Sequence, residues 1–191
     1  AFNVTKKDIT FSGSRVYDGT TTVSSSDLVT NDTTSGETLT FSGSGTVSSA
    51  NVQNNQSITL GSIAIADGSG GGLASNYNLT TGTFDISQKW VSVSGQKIYD
   101  ATTTVSSSDL EVTGEVTGES ISITGTGSVT DKNVGSGKTI DISGLSLSDG
   151  SHSASNYTIG TTIFAITPRN LTISGEKVYD GTGTVLASQI D

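Results

Sequence analysis

Apolar and polar residues alternate with a period of two along most of the chain. Ile9-Thr10-Phe11, Leu39-Thr40-Phe41, Ile58-Thr59-Leu60 and Ile63-Ala64-Ile65 follow this pattern in the first half. Val91-Ser92-Val93, Ile121-Ser122-Ile123, Ile140-Asp141-Ile142 and Leu145-Ser146-Leu147 follow it in the second. Phe84-Asp85-Ile86 and Phe164-Ala165-Ile166 are further runs of the same kind. In extended backbone successive side chains point to opposite faces, so each run predicts a strand with one face buried. The polar positions are mostly Thr and Ser, and the β-branch of Thr favours strand backbone. Glycine-containing breaks separate the runs about every 8–12 residues, and no stretch carries a capped helical pattern. Six to eight short strands in about 80 residues predict an all-β unit. The expected fold is a small antiparallel β-sandwich of Ig-like arrangement, with a β-grasp-like unit carrying a short helix as the alternative.

The runs recur. Val16-Tyr17-Asp18-Gly19-Thr20-Thr21-Thr22-Val23-Ser24-Ser25-Ser26-Asp27-Leu28 returns as Ile98-Tyr99-Asp100-Ala101-Thr102-Thr103-Thr104-Val105-Ser106-Ser107-Ser108-Asp109-Leu110, 82 residues on. It starts again at Val178-Tyr179-Asp180-Gly181-Thr182 after 80 more. Gly36-Glu37 matches Gly118-Glu119, Asn51-Val52 matches Asn133-Val134, and Ala74-Ser75-Asn76-Tyr77 matches Ala154-Ser155-Asn156-Tyr157. The two-residue difference falls near Gly70-Gly71-Gly72, a loop tip where length changes are tolerated. The units therefore divide as 8–88 and 89–168, with 1–7 matching the tail of a preceding unit and 169–191 the start of a third. The expectation is a segment of a long tandem array. Only Gln88-Lys89-Trp90 separates the closing strand of one unit from the opening strand of the next, which predicts a short, stiff joint.

Composition narrows the chemistry. Among 191 residues there is no Cys, one His and one Trp. Disulfide scaffolds, thiol catalysis and thiolate metal sites are excluded. With 9 basic against 18 acidic residues the net charge of −9 repels phosphate backbones, so nucleic acid is not an expected partner. No apolar run approaches the ~18 residues of a membrane helix, and no membrane insertion of this segment is expected.

The Tyr-Asp-Gly-Thr-Thr stretch at 17–21, Asp131-Lys132-Asn133-Val134-Gly135, Ser155-Asn156-Tyr157 and Ile166-Thr167-Pro168-Arg169 are motifs of one 80-residue period. Together they resemble the YDG/MBG-type, glycine-rich, mostly-β repeats of large bacterial surface adhesins, including filamentous-haemagglutinin-like exoproteins. The resemblance implies secretion to the cell surface or biofilm matrix, a tandem stalk, and no catalysis. The first unit departs from the pattern, with Ser49-Ala50-Asn51-Val52-Gln53 in the Asp-Lys-Asn-Val-Gly slot. The second has Ala101 in the glycine slot, which implies that this position does not need left-handed backbone.

Each recurring motif has a structural and a functional reading. Tyr17, Tyr99 and Tyr179 are expected to end a strand and pack on the core, and Asp18, Asp100 and Asp180 to accept turn amides. The alternative makes these aspartates calcium ligands, aided by Asp67 and Asp149; no dense Asp-x-Asp-x-Asp run exists, and no cofactor is assigned. Asn76-Tyr77 and Asn156-Tyr157 are expected to lock a loop to a strand, the hydroxyl meeting a backbone carbonyl as in a tyrosine corner. Trp90 is expected to pack in the core or the joint; an exposed indole stacking on sugar is the alternative. A Lys amide cross-link is disfavoured, because Arg15 aligns with Lys97 and Lys177, and Arg169 with Lys7 and Lys89. His152, alone in a loop, is read as solvated. The functional expectation is an extracellular, monomeric, non-enzymatic spacer whose partners are neighbouring repeats. Glycan binding and rod–rod association are the alternatives.

Overall fold

The computed structural model describes residues 2–190. The chain forms two all-β units in series, each about 80 residues long. The first holds β1 (Lys7–Val16), β2 (Thr22–Ser24), β3 (Leu28–Thr30), β4 (Leu39–Ser42), β5 (Ser44–Thr46), β6 (Gln53–Ser57), β7 (Ala64–Asp67) and β8 (Tyr77–Ser87). The second holds β9 (Lys89–Ile98), β10 (Thr104–Ser106), β11 (Leu110–Thr113), β12 (Ile121–Val129), β13 (Gly135–Lys138), β14 (Ile140–Asp141), β15 (Leu145–Asp149) and β16 (Tyr157–Thr167). The only helical elements among the described residues are single 3-10 turns.

Each unit has one long four-stranded sheet, ordered β3-β1-β8-β6 in the first and β11-β9-β16-β13 in the second. The expected antiparallel pairing holds at the edges but not at the centre. β1 runs parallel to β8, and β9 to β16. This central parallel pair is the β-grasp order. The helix of that alternative is absent, and its place against the sheet is taken by short strands. β2, β4, β5 and β7 fill that place in the first unit, and β10, β12, β14 and β15 in the second. Gly43, at φ 80°, bends the chain so that β4 pairs with β7 while β5 pairs with β2. A Cβ there would lie 2.1 Å from the Ser62 carbonyl oxygen, so only glycine fits.

The alternating positions supply the cores. Phe11, Val23, Leu28, Val47, Ile63, Phe84 and Ile86 are buried in the first unit. Val93, Val105, Ile123, Val129, Ile140, Leu145, Phe164 and Ile166 are buried in the second. Two edge strands carry no apolar alternation. β6 reads Gln-Asn-Asn-Gln-Ser and β13 reads Gly-Ser-Gly-Lys, yet both pair with the closing strand of their unit. Meanwhile Ile58-Thr59-Leu60 makes only one bridge, Thr46 with Thr59.

Ala101 corrects an expectation. Its φ is 65°, beside 78° for Gly19 and 76° for Gly181, so the slot is left-handed in all three copies. An alanine there costs about 1–2 kcal/mol, and the turn's hydrogen bonds hold it in place.

One cross-strand pair shows how the units trade volume. Phe11 faces Gly82 across the parallel pair, and an added Cβ on Gly82 would sit 2.2 Å from the ring. The equivalent pair in the second unit is Val93 facing Thr162. Gly82→Thr alone should therefore overpack and lower the stability of the first unit by about 1–3 kcal/mol. Phe11→Val alone should lower it by a similar amount through the cavity it leaves. The double variant should recover most of the loss, a coupling of about 1–3 kcal/mol in a double-mutant cycle by thermal unfolding. Simple additivity of the two losses would refute the exchange.

Candidate functional site

The recurring motif residues gather in two places: a turn at the end of each opening strand, and the joint where one unit meets the next.

The turn is local. Asp18, Asp100 and Asp180 each accept from the backbone N–H two residues on, at 2.9 Å, and from that threonine's hydroxyl. A cation three residues before each aspartate lies beneath. Lys97 Nζ is 3.0 Å from Asp100 Oδ1 and donates to Thr102 Oγ1 (3.0 Å), Thr102 O (3.1 Å) and Thr104 O (2.6 Å). Lys177 repeats these contacts on Asp180, Thr182 and Thr184. Arg15 reaches Asp18 and the carbonyls of Thr20 and Thr22. The Thr102 amide, followed by the Lys97 ammonium, holds the Asp100 carboxyl down at about 2. The turn aspartates are thus held by a side-chain cation and turn amides. Asp67 and Asp149 instead accept the backbone N–H of Ala74 and Ala154. Among the described residues no group of three or more His, Asp or Glu is arranged to hold a metal ion.

The joint is assembled from residues about 100 positions apart. Gln88 alone separates β8 from β9. Tyr17 follows β1, and its N–H donates to the carbonyl of Ser87 at the end of β8. Its ring meets Tyr157, the first residue of β16, edge to face, with centroids 5.5 Å apart and planes at 78°. Both hydroxyls donate to one carboxylate: Tyr17 to Glu119 Oε1 at 2.8 Å and Tyr157 to Glu119 Oε2 at 2.5 Å. Tyr157 also accepts from the Val116 N–H at 3.1 Å. Beside them Asn156, 1% exposed, accepts from the Val52 N–H (2.9 Å) and donates to Asn51 Oδ1 (3.0 Å). Gln88 Nε2 ties the linker to the carbonyls of Ser155 and Tyr157. Val91, Ile121, Ala154 and Tyr157 of the second unit join the core of the first. A Cβ on Gly19 would lie 2.9 Å from Glu119 Oε1, so the turn sits close beside the carboxylate. His152 lies at the rim, its Nε2 3.9 Å from Glu119.

Several expectations shift. Tyr17 is buried, but against the next unit as well as its own core. Its equivalents Tyr99 and Tyr179 are half-buried and exposed respectively. Tyr77 and Tyr157 do lock loops, but through a backbone N–H and a glutamate rather than a carbonyl. Tyr77 accepts from Thr34 N–H and donates to Glu37, repeating the Tyr157 pattern. A carboxylate is the stronger acceptor, which is why it takes the hydroxyl proton. Trp90 is not a packing residue. It is 75% exposed, its ring against Gly160, in a shallow depression with Val16, Ser87, Lys89 and Thr158. Glu119, the centre of the joint, was visible only as half of a recurring Gly-Glu pair. Its signal is a carboxylate recurring in a chain with 14% charged residues.

Burial first, then the hydrogen bond and repulsion from Glu119, push both the Tyr17 and Tyr157 hydroxyls up from 10.0 to about 12. Ionising either would set an anion beside the Glu119 carboxylate. The stability this provides is complete below pH 10 and is lost as pH rises through 12. Tyrosinate absorbance should show Tyr17 and Tyr157 titrating late, with loss of inter-unit coupling in the same window. At neutral pH, Tyr17→Phe leaves Glu119 Oε1 without its donor. It should weaken the joint by about 1.5–3 kcal/mol and split a single unfolding transition into two. An unchanged single transition would count against the coupling.

A YDG domain family model matches residues 3–84 and again residues 87–164. No curated protein and no solved structure matched the chain. Each match covers most of one of the two units, and the chain belongs to the YDG domain family, which it carries as two copies in tandem.

Proposed function

We propose that the chain is a rigid spacer in the stalk of a secreted or surface-anchored bacterial adhesin, projecting a distal binding domain for adhesion or biofilm formation. The observation that carries this reading is the joint. A one-residue linker, a shared carboxylate and a continuous core oppose bending between units. In a tandem array the end-to-end length then grows by one unit per repeat, as in solenoids whose repeats contact only their neighbours. The role is geometric rather than catalytic. The recurring polar groups satisfy one another across turns and joint, and the absence of Cys and the low content of charged residues suit an extracellular rod.

Strands of 10–11 residues at ~3.3 Å each give units of about 35 Å and a pair of about 70 Å. Small-angle scattering should return a radius of gyration above the ~16 Å of a compact protein of this length, with a narrow distance distribution. Inserting a flexible Gly-Ser tetrapeptide after Gln88 should broaden that distribution. A native chain that already scatters as a bending ensemble would defeat the spacer reading.

A second reading, a carbohydrate or matrix-binding module, is favoured by Trp90 alone. An exposed indole beside Gly160 offers an apolar face on which a pyranose ring stacks. A glycan array should then show binding that Trp90→Ala abolishes. Equal binding by the variant, or none by the parent chain, would remove this reading.

A further inference from the structure

The outer faces of the two long sheets differ at equivalent positions, and the difference opens a groove in the second unit. In the first unit Asp85 of β8 stands on the face away from buried Phe84 and Ile86, and it accepts the Asn55 N–H of β6 at 2.7 Å. In the second unit Ala165 and Gly137 hold these two positions. An added Cβ on Gly137 would meet nothing within 4 Å. Thr83 is likewise replaced by Ile163, which is 56% exposed. The result is an open depression of about 660 Å³. Ile163 and Ala165 of β16, Ser94 and Gln96 of β9, and Asp109 and Glu111 at the β11 edge line it, and no described basic side chain does. Trp90 lies on the same face. Alternate residues of β9 share a side of the sheet, so Trp90, Ser92, Ser94 and Gln96 form one row, about 20 Å long at ~3.3 Å per residue. In the first unit Asp8 holds the Trp90 position, so that row has no indole.

We infer that this row and groove form one binding track, confined to the second unit, for a linear polysaccharide without acidic groups. A pyranose ring carries C–H groups on its faces and hydroxyls around its rim. The track offers apolar ground at both ends, Trp90 at one and Ile163 with Ala165 at the other, and each takes the face of a ring. Between and beside them stand hydroxyl partners: the Ser92–Thr161 pair, 2.7 Å apart, then Ser94, Gln96 and Glu111. A carboxylate accepting a sugar hydroxyl makes a charge-assisted bond, stronger than a neutral one. The Asp109 and Glu111 carboxylates, with no cation beside them in the groove, also repel polyanions, which excludes uronate polymers as ligands. The straight run of the row along one strand fits an extended chain of several rings rather than a single compact ligand. In the first unit Asp85 fills the equivalent ground, so the two units share a fold but not this surface.

The inference rests on the carbohydrate reading of Trp90 and extends it along β9. The test follows backbone amide chemical shifts of the full chain during titration with linear hexasaccharides of glucose, mannose and glucosamine, and with a hexagalacturonate as the polyanion. At least one of the three non-acidic sugars should shift Trp90 together with Ser94, Gln96 and Ala165, while residues of the first unit's outer face stay still. The galacturonate should shift none of them. Ala165→Asp restores the side chain that the first unit carries at this position, so the unit keeps its fold and its melting temperature. It should weaken hexasaccharide binding about tenfold. Binding by Ala165→Asp equal to the parent's, or shifts confined to the Trp90 end, would overturn the track and leave the Trp90 reading standing. Galacturonate binding as strong as that of the other sugars would overturn it as well. Silence toward every hexasaccharide would remove both the track and the Trp90 reading.

Discussion

One carboxylate, Glu119, accepts two tyrosine hydroxyls from two different units, and the joint between the units is built around that shared acceptor. A buried anion is costly unless its lone pairs are used. Here each oxygen has a donor, one from Tyr17 in the first unit and one from Tyr157 in the second. Separating the units would strand the Oε1 oxygen. The apolar contacts around it, from Ile86 through Val91 and Ile121, extend the first core into the second. Polar pairing fixes the orientation of the joint, while apolar burial supplies most of its adhesion. The Asn156 contacts with Asn51 and Val52 add a second anchor, so rotation about the linker breaks hydrogen bonds as well as packing.

The turn that follows each opening strand is a different kind of object. Its parts lie within eight residues, and residues 177–184 form it with no strand partner beside them. It is a local device that begins directly after a tyrosine. The Asp–Thr hydrogen bonds and the underlying Lys or Arg hold the left-handed residue between them, which is why Ala101 is tolerated despite its Cβ. The turn thus links sequence to joint: local chemistry builds the turn beside Tyr17, and the next unit decides what the tyrosine meets.

Much of the fold was legible because burial on one face imposes a two-residue period. Phe11, Phe84, Val93 and Ile123 are all buried where alternation places them. β6 and β13 were invisible for the converse reason. They are edge strands held by backbone hydrogen bonds, and a ladder bond does not depend on side-chain identity. The parallel pairing of opening and closing strands was equally hidden, because alternation reads the same whichever way a neighbour runs. Trp90 was misread because a lone large apolar residue suggests burial, while its position on the strand turns it to solvent.

By itself the sequence determined the all-β class, the 80-residue period, the acceptance of turn amides by Asp18, Asp100 and Asp180, and the shortness of the linker. These follow from local stereochemistry and repetition, which need no knowledge of distant contacts. The tertiary structure alone decided that Glu119 sits between Tyr17 and Tyr157, that Asn156 closes on Asn51, and that the central strands run parallel. Those pairings join residues tens of positions and more apart, and they are selected by how two cores and their polar rims fit, a property no single stretch of chain contains.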